Sequence, residues 1–245
     1  MNPIIEITTP DIFDNHRIIS GVTRRNLSLF PEIGFNISPT EIISADEIIK
    51  HKQILADNLS LPIEKCFFQK QVHGDRIDVI TDNYQIVERD GMISNIRGIV
   101  LNINIADCCA VLFHDPANEA VGAVHSGWKG TKLNISSKAI AMMTREFGSD
   151  PTDIKVYLSP CASVNKYETG QEFKEYFPDS VIQSSGKYYF DNHKEIKNQL
   201  IQSGINSDNI EVSGICTISD TDYHSFRRDR NKSGRMAAFI GIKDI

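Results

Sequence analysis

Two imidazoles and one thiol stand in three short segments whose residue types suit a metal ion. Residues 71–74 read Gln-Val-His-Gly, residues 106–108 read Ala-Asp-Cys, and residues 125–130 read His-Ser-Gly-Trp-Lys-Gly. Three such ligands leave Zn²⁺ a fourth tetrahedral position for water, whose pKa the ion lowers to about 7. Because a structural site closes all four positions, His73, Cys108 and His125 predict a catalytic zinc site.

The placement of these ligands depends on the strands around them. Cys108 follows the apolar run 99–105 and His125 follows the run 121–124, so two adjacent strands joined by a turn would bring both side chains together. His73 is expected at the end of a third strand, and spacing alone does not show that it reaches the others. One histidine at a strand end is usually structural, and a buried cysteine usually acts as a small hydrophobic residue. The three residues therefore indicate a site only as a set.

Glycines enclose Trp128 and Lys129 at the expected start of a helix. Gly127 and Gly130 permit a tight turn whose backbone N–H groups lie at the positive end of that helix, and Lys129 adds a cation. The segment predicts an anion-binding turn, with phosphate as the natural ligand. The alternative is that Trp128 anchors the core and Lys129 is a solvated residue.

Composition and charge exclude several classes of protein. The chain has 245 residues, 40% of them hydrophobic, which is enough for a large core and favours one domain over residues 1–245. A net charge of −6 without a long basic block argues against a nucleic-acid partner. No apolar stretch approaches the roughly 20 residues that cross a bilayer, and the first residues lack a signal-peptide pattern. We expect a cytoplasmic protein with no membrane partner.

The five cysteines are an odd number at irregular spacing, and a cytoplasmic protein keeps them reduced. A disulfide framework is therefore not expected. Free cysteines of this kind favour a role as metal ligand or nucleophile for some of them.

The apolar and turn residues predict an α+β chain with a mixed sheet. No repeat or low-complexity segment is present. Helices are expected within residues 38–59 and at 130–147, 170–176 and 191–204. Strands are expected at residues 17–23, 66–72, 77–81, 98–105, 110–114, 120–125, 154–158, 210–213 and 237–241.

Six motifs occur in the order of one known family. They are Lys70 to Gly74, Ala106-Asp107-Cys108, His125 to Gly130, Tyr167-Glu168, Cys216-Thr217, and Ser225-Phe226-Arg227-Arg228-Asp229 through Ser233-Gly234-Arg235-Met236. In this arrangement the chain resembles the YfiH-like family, which has been labelled laccase-domain or multicopper polyphenol oxidase and is now read as purine nucleoside phosphorylase. The resemblance extends from about Gly21 to the C-terminus.

The resemblance implies a single-domain layered α/β sandwich around a mixed β-sheet, the fold shared by YfiH-like proteins and certain cysteine hydrolases. It also implies one zinc ion on His73, Cys108 and His125, with copper as the alternative metal. Family members phosphorolyse adenosine, inosine and methylthioadenosine, and they deaminate adenosine. Purine nucleosides and phosphate are therefore the expected partners of a monomer or weak homodimer.

Both reactions need groups besides the metal ligands. Deamination needs a proton shuttle, for which Asp107 is the candidate although no His-x-Glu signature is present. Phosphorolysis needs cations around the phosphate that attacks C1′ of the ribose. Lys129, Arg24 and Arg228 are the candidates, with Trp128 beside them, and surface ion pairing is the alternative role for the two arginines.

The chain departs from the family pattern at three places. Ala110 stands where proline is usual, residues 159–164 replace a Gly-Pro stretch, and residues 24–29 lack a glycine pair. No ligand is lost, and the changes bear on the base preference and on the role of Arg24.

Three other functions stay open. A Cys-His hydrolase would use Cys108 as nucleophile and His125 as base, in peptidoglycan precursor editing. A polyphenol oxidase follows from the older family name, but the seven histidines contain no His-x-His pair. A binding module would hold a structural metal without turnover.

Overall fold

Two mixed β-sheets build the frame of the protein in a computed structural model, which describes residues 3–81 and 87–244. The strands of these residues are β1 (Ile7–Thr8), β2 (Ile18–Thr23), β3 (Cys66–Phe67), β4 (Ile77–Val79), β5 (Gly91–Ser94), β6 (Ile99–Ile105), β7 (Cys109–Asp115), β8 (Ala120–Ser126), β9 (Lys155–Leu158), β10 (Glu168–Thr169), β11 (Val181–Ser184), β12 (Lys187–Phe190), β13 (Ile210–Val212) and β14 (Met236–Ile242). The first sheet has the order β1-β2-β14-β6-β3 and the second the order β13-β9-β7-β8-β5-β4, while β10, β12 and β11 form a small third sheet.

The two large sheets face each other because apolar side chains alternate along their strands. Leu101, Ile103 and Ile105 of β6 lie in one core with Leu112 of β7 and Ala123 of β8. Residues two positions apart lie on one face of a strand. The shared core therefore packs the first sheet against the second.

Helices cover the outer faces of both sheets. The α-helices of the described residues are α1 (Ala45–Asn58), α2 (Trp128–Lys132), α3 (Ile135–Phe147), α4 (Phe173–Tyr176), α5 (Asn192–Gln202) and α6 (Phe226–Asp229), and α1, α3 and α5 supply this cover. Val100 of β6 shares a core with Leu55 of α1. Phe113 of β7 shares another with Met143 of α3 and Leu200 of α5. The layers run helix, sheet, sheet, helix, which confirms the predicted layered α/β sandwich and resolves its mixed sheet into two.

Two of the expected helices have different limits in the structure. The helix expected within residues 38–59 begins only at Ala45, because Ser44 and Glu47 form a capping box. The Ser44 hydroxyl accepts the Glu47 N–H at 3.3 Å, and the Glu47 carboxylate accepts the Ser44 N–H at 3.1 Å. The helix expected at 130–147 is interrupted at Asn134, whose φ of 57° is left-handed.

The strand expected at 66–72 ends at Phe67, so His73 lies in a loop and not at a strand end. The other expected strands agree with the structure to within two residues at each end. The sequence did not predict β5 or the hairpin of β11 and β12. No helix within residues 3–81 and 87–244 combines the length and the apolar character needed to cross a bilayer.

Candidate metal centre

The hairpin of β7 and β8 brings Cys108 and His125 together. Cys109 pairs with Ser126 and Ala110 with His125, so Cys108 lies at the hairpin's open end beside His125. Gly127 leaves the room that the thiol needs, since a Cβ on this residue would lie 2.7 Å from the Cys108 Sγ atom. The spacing of the two ligands in the sequence predicts this juxtaposition.

His73 reaches the same place from a loop that Asp90 holds. The His73 backbone has a φ of 60°, which is left-handed. The buried Asp90 carboxylate accepts the backbone N–H groups of Val72 at 3.1 Å, His73 at 3.0 Å and Gly74 at 2.7 Å. Asp90 also contacts the His125 Nδ1 atom at 2.8 Å. One carboxylate therefore positions two of the three ligands, and no sequence motif indicates it.

The three side chains fit a metal ion. Ligand atoms of His73, Cys108 and His125 all lie within 4.8 Å of one another, and this is the only such group of three or more among the residues that the structure describes. Because the His125 Nδ1–H donates to Asp90, the lone pair of Nε2 in the neutral ring is left for a metal ion, an arrangement that orients metal-binding histidines. His125 is buried, Cys108 half-buried and His73 exposed, so the site opens on one side.

Charges at the centre favour the metal-binding form of the cysteine. Burial opposes ionisation of the Cys108 thiol, but the neighbouring His125 and His73 lower its pKa to about 6. Burial also opposes a charged His125, but Cys108 and Asp90 raise its pKa to about 9. The thiolate, not the thiol, binds metals and acts as a nucleophile.

The centre opens into a cavity of about 580 Å³. This volume lies within the range of small-molecule sites. Besides the three ligands, the residues of its wall include Lys52, Phe68, Gln69, Gln71, Phe226 and Arg235. Cationic, amide and aromatic side chains therefore line the cavity beside the candidate metal centre.

Comparison with known proteins assigns the family. A model described as "Multi-copper polyphenol oxidoreductase laccase" matches residues 22–243. The chain belongs to this laccase-like family. A Staphylococcus epidermidis relative named purine nucleoside phosphorylase SERP0752 is 30% identical, with 94% of each chain covered. Purine nucleoside phosphorylase YlmD of Bacillus subtilis is 28% identical, with 94% of this chain and 91% of the relative covered.

Solved structures of laccase-like relatives share the fold. The protein YfiH of Bacillus licheniformis, described as hypothetical, superimposes with a TM-score of 0.86 at 28% identity, covering 92% of this chain and 93% of that one. YlmD of Geobacillus stearothermophilus superimposes with a TM-score of 0.85 at 25% identity, covering 96% and 94%. The resemblance to YfiH-like proteins is thereby confirmed.

The structure places Asp107 behind the metal centre of this laccase-like protein. Its φ is 80°, and its carboxylate accepts the Thr217 hydroxyl at 2.7 Å and the Arg227 N–H at 2.6 Å. Asp107 is not among the residues of the cavity wall. In this conformation the side chain ties the loop of Thr217 and the start of α6 to the Cys108 turn.

The arginines predicted around phosphate lie outside the cavity wall. The Arg24 guanidinium is 2.8 Å from Glu6 and 3.7 Å from Asp222. Arg228 donates to backbone carbonyl groups at Thr217, Ile218, Asp220 and Tyr223 and pairs with Asp229. Both guanidinium groups hold neighbouring segments of the chain.

Trp128 and Lys129 also lie outside the wall of this cavity. The Trp128 ring packs against Phe173 at 5.2 Å between centroids and stacks parallel to Tyr176 at 6.4 Å. The exposed Lys129 lies with its Nζ atom 5.7 Å from the Trp128 ring centroid. The turn of Trp128 and Lys129 therefore lies apart from the cavity, although His125 of the same motif lines it.

Two cations that the sequence did not single out line the cavity, Lys52 and Arg235. The Lys52 Nζ atom lies 4.4 Å from the Phe68 ring centroid, and the Arg235 guanidinium lies 5.5 Å from that of Phe226. Burial lowers the pKa of both groups. Neither forms an ion pair with a carboxylate among the residues described. Arg235 lies within the last family motif, which is the signal that could have identified it.

Proposed function

We propose that this protein is a zinc-dependent purine nucleoside phosphorylase that cleaves adenosine, inosine and methylthioadenosine and also deaminates adenosine. One observation carries the proposal: the His73, Cys108 and His125 cluster lines one cavity of nucleoside size together with Lys52 and Arg235, two cations without an ion-pair partner among the described residues. Relatives named purine nucleoside phosphorylase support it. The cytoplasm is the proposed location, and the proposed state is a monomer or weak homodimer.

The cations of the wall would bind the attacking phosphate. One guanidinium nitrogen of Arg235 donates hydrogen bonds to the carbonyl groups of Ser233 and Gly234, each at 2.8 Å, so the guanidinium group is already held in place. An oxyanion between Arg235 and Lys52 would gain two charge-assisted contacts away from bulk water. We therefore assign phosphate to this pair in preference to Lys129, Arg24 and Arg228.

The remaining groups would orient the nucleoside. Phe226, which is 41% exposed, and Phe68 offer apolar surfaces for the flat base. Asp90 fixes the His125 ring and the His73 backbone, so the ligands need no rearrangement. A zinc ion bound to them supplies a Lewis acid that polarises an oxygen atom of water or substrate. Phosphorolysis forms the bond from a phosphate oxygen to C1′ and breaks the bond from C1′ to N9 of the purine.

The test measures zinc content together with phosphate-dependent release of base from inosine and adenosine. We expect one zinc per chain in the wild-type protein. His73→Ala and Cys108→Ala should each lower both metal content and turnover by about 100-fold or more, since they remove a ligand. His16→Ala, on the exposed surface, is the control and should change neither. Wild-type turnover in either ligand variant would refute the proposal.

A Cys-His hydrolase is the second candidate, because Cys108, His125 and Asp90 form the nucleophile, base and orienting acid of such an enzyme. A thiol-directed reagent distinguishes the hydrolase from the phosphorylase, and mass spectrometry measures the modification of Cys108. Protection of Cys108 by stoichiometric zinc supports the phosphorylase, whereas labelling at the same rate with and without zinc supports the hydrolase.

A multicopper oxidase has less support from the histidine positions. Only His73 and His125 of the seven histidines lie at the cavity. His51 is bonded to the backbone of Asn36, and His224 to the carbonyl group of Phe35. The histidines needed for several copper ions are therefore spread through the molecule.

A further inference from the structure

Two glutamines line the cavity, and among the described residues only one of them has hydrogen-bond partners for its side chain. The Gln71 amide donates to the Asn104 carbonyl oxygen at 2.9 Å and accepts the Asn104 N–H at 2.6 Å. Gln69 is 6% exposed, and neither its amide nitrogen nor its amide oxygen has a partner among the residues described. A buried amide without partners lowers stability, so its presence in a cavity wall requires a reason.

A third unpaired atom stands in the same wall. The Asn104 Oδ1 atom is buried and has no partner within the described part of the chain. Gln69 and Asn104 together offer one donor and two acceptors, and the aromatic rings of Phe68 and Phe226 line the same cavity. This combination suits a flat heteroaromatic ring that carries both donors and acceptors on its edge. A phosphate group would instead need cations or donors only.

We propose that the Gln69 amide recognises the substituted six-membered edge of the purine base, with Asn104 beside it. This inference rests on the proposed function and names the residue that selects the base. The amide atoms are covered in the structure, so the side chain would turn into the cavity as the base enters. Two hydrogen bonds would then satisfy an amide that is otherwise unpaired.

Because the Gln69 amide has no hydrogen bond to lose within the described residues, it could accept both 6-amino and 6-oxo purines. Adenine presents a donor at N6 beside an acceptor at N1, and hypoxanthine presents an acceptor at O6 beside a donor at N1. Rotating the amide by half a turn exchanges its oxygen and nitrogen, so either base meets a complementary pair. Gln71 could not do this without breaking both of its bonds to Asn104.

The test compares kcat/KM for inosine, adenosine and purine riboside, which lacks a substituent at C6. A bidentate amide contact discriminates by about 10-fold or more, so the wild-type protein should prefer inosine and adenosine by that factor. Gln69→Met keeps the length of the side chain without the amide. It should reduce kcat/KM for inosine and adenosine by about 10-fold or more and reduce that for purine riboside, which offers the amide only N1, by a smaller factor.

Gln71→Met is the matched control. It should lower the melting temperature, because two bonds to the Asn104 backbone are lost. Gln69→Met should not lower the melting temperature, because no bond is lost. A purely structural role for Gln69 would give the opposite pattern, with a lower melting temperature and an equal loss for all three nucleosides.

The proposal is overturned if Gln69→Met keeps the wild-type preference for inosine and adenosine over purine riboside. It is also overturned if the wild-type protein shows no such preference, a result that needs no variant. If no nucleoside is cleaved, the proposed function fails, and calorimetry with adenine, hypoxanthine and purine tests Gln69 separately. Tighter binding of the first two by about 10-fold supports the role, and equal or absent binding refutes it.

Discussion

Asp90 determines the geometry of the metal centre at the scale of single residues. It accepts three consecutive backbone N–H groups, at 72–74, and the Nδ1–H of His125. An ionised carboxylate only accepts hydrogen bonds, which matches four donors. An asparagine in this place would turn an NH₂ group toward at least one N–H group. The geometry of the three candidate ligands therefore depends on a buried charge that is not itself one of them.

We predict that Asp90→Asn lowers zinc affinity by about 10- to 100-fold, the range observed for groups that orient metal ligands. Competition with a chromophoric chelator measures the affinity. Asp115→Asn is the control, because Asp115 is equally buried and accepts the N–H groups of Ala117 and Asn118 in a turn outside the cavity. It should lose stability but keep zinc. Unchanged zinc affinity in Asp90→Asn would contradict the role of Asp90.

The break between α2 and α3 is the feature that matters at the scale of elements. α2 begins three residues after His125 and is tied to α5, since Asn192 accepts the Thr131 hydroxyl at 2.8 Å and donates to the Ser126 carbonyl oxygen at 2.9 Å. A continuous helix over 130–147 would not keep this direction. The left-handed backbone at Asn134 ends α2 and lets α3 start along a new axis.

We expect Asn134→Ala to lower the free energy of unfolding by about 1 kcal/mol, because alanine adopts the left-handed region at a higher cost than asparagine. Asn134→Gly has no such penalty at this position and should be close to neutral. Urea denaturation of the three proteins measures the difference. Equal stability of the alanine and glycine variants would show that residue 134 is not held in this conformation.

Acid sensitivity is a property of the whole molecule to which His224 contributes. Burial lowers the pKa of this imidazole to about 3, and the charges of Arg25 and Arg235 contribute to this shift. The hydrogen bond to the Phe35 carbonyl group and the charge of Asp229 act in the opposite direction. Unfolded histidine has a pKa of about 6.5. The unfolded state therefore binds more protons between these values, and the stability from neutral His224 is complete above about pH 6.5 and lost as the pH falls.

We predict that the wild-type free energy of unfolding falls by about 1 kcal/mol per pH unit between pH 6 and 4 on account of His224. His224→Gln should show a correspondingly shallower dependence, measured by urea denaturation at several pH values. His16→Gln, on the exposed surface, should keep the wild-type slope. A slope that His224→Gln leaves unchanged would contradict the prediction.

We also propose that residues 1–245 unfold as one domain, although residues 1–2, 82–86 and 245 lie outside the described part. Trp128 is the sole tryptophan, and it packs on the aromatic side chains near the third sheet. Its fluorescence and the far-ultraviolet circular dichroism of the large sheets should therefore give the same urea midpoint. Separate midpoints would show two units.

The α+β class, most strand positions and the three candidate metal ligands could be predicted from the sequence alone. Strand positions follow from local alternation of apolar residues, and the ligands from residue type. The family motifs suggested the substrate class that we propose. The predicted layered sandwich is also found in the structure. Leu101 and Val100 lie on opposite faces of β6 and pack into different cores, so each face of this strand needs its own covering layer.

Only the tertiary structure decided which side chains share the cavity. No metal-ligand pattern in the sequence includes Asp90, Lys52 or Gln69. Asp90 lies just before β5, Lys52 lies in α1, and Gln69 lies in the segment after β3. The loop of His73 depends on a carboxylate 17 residues away in the chain. Contacts between distant segments arise from packing of whole layers, and no local pattern of residue types encodes them.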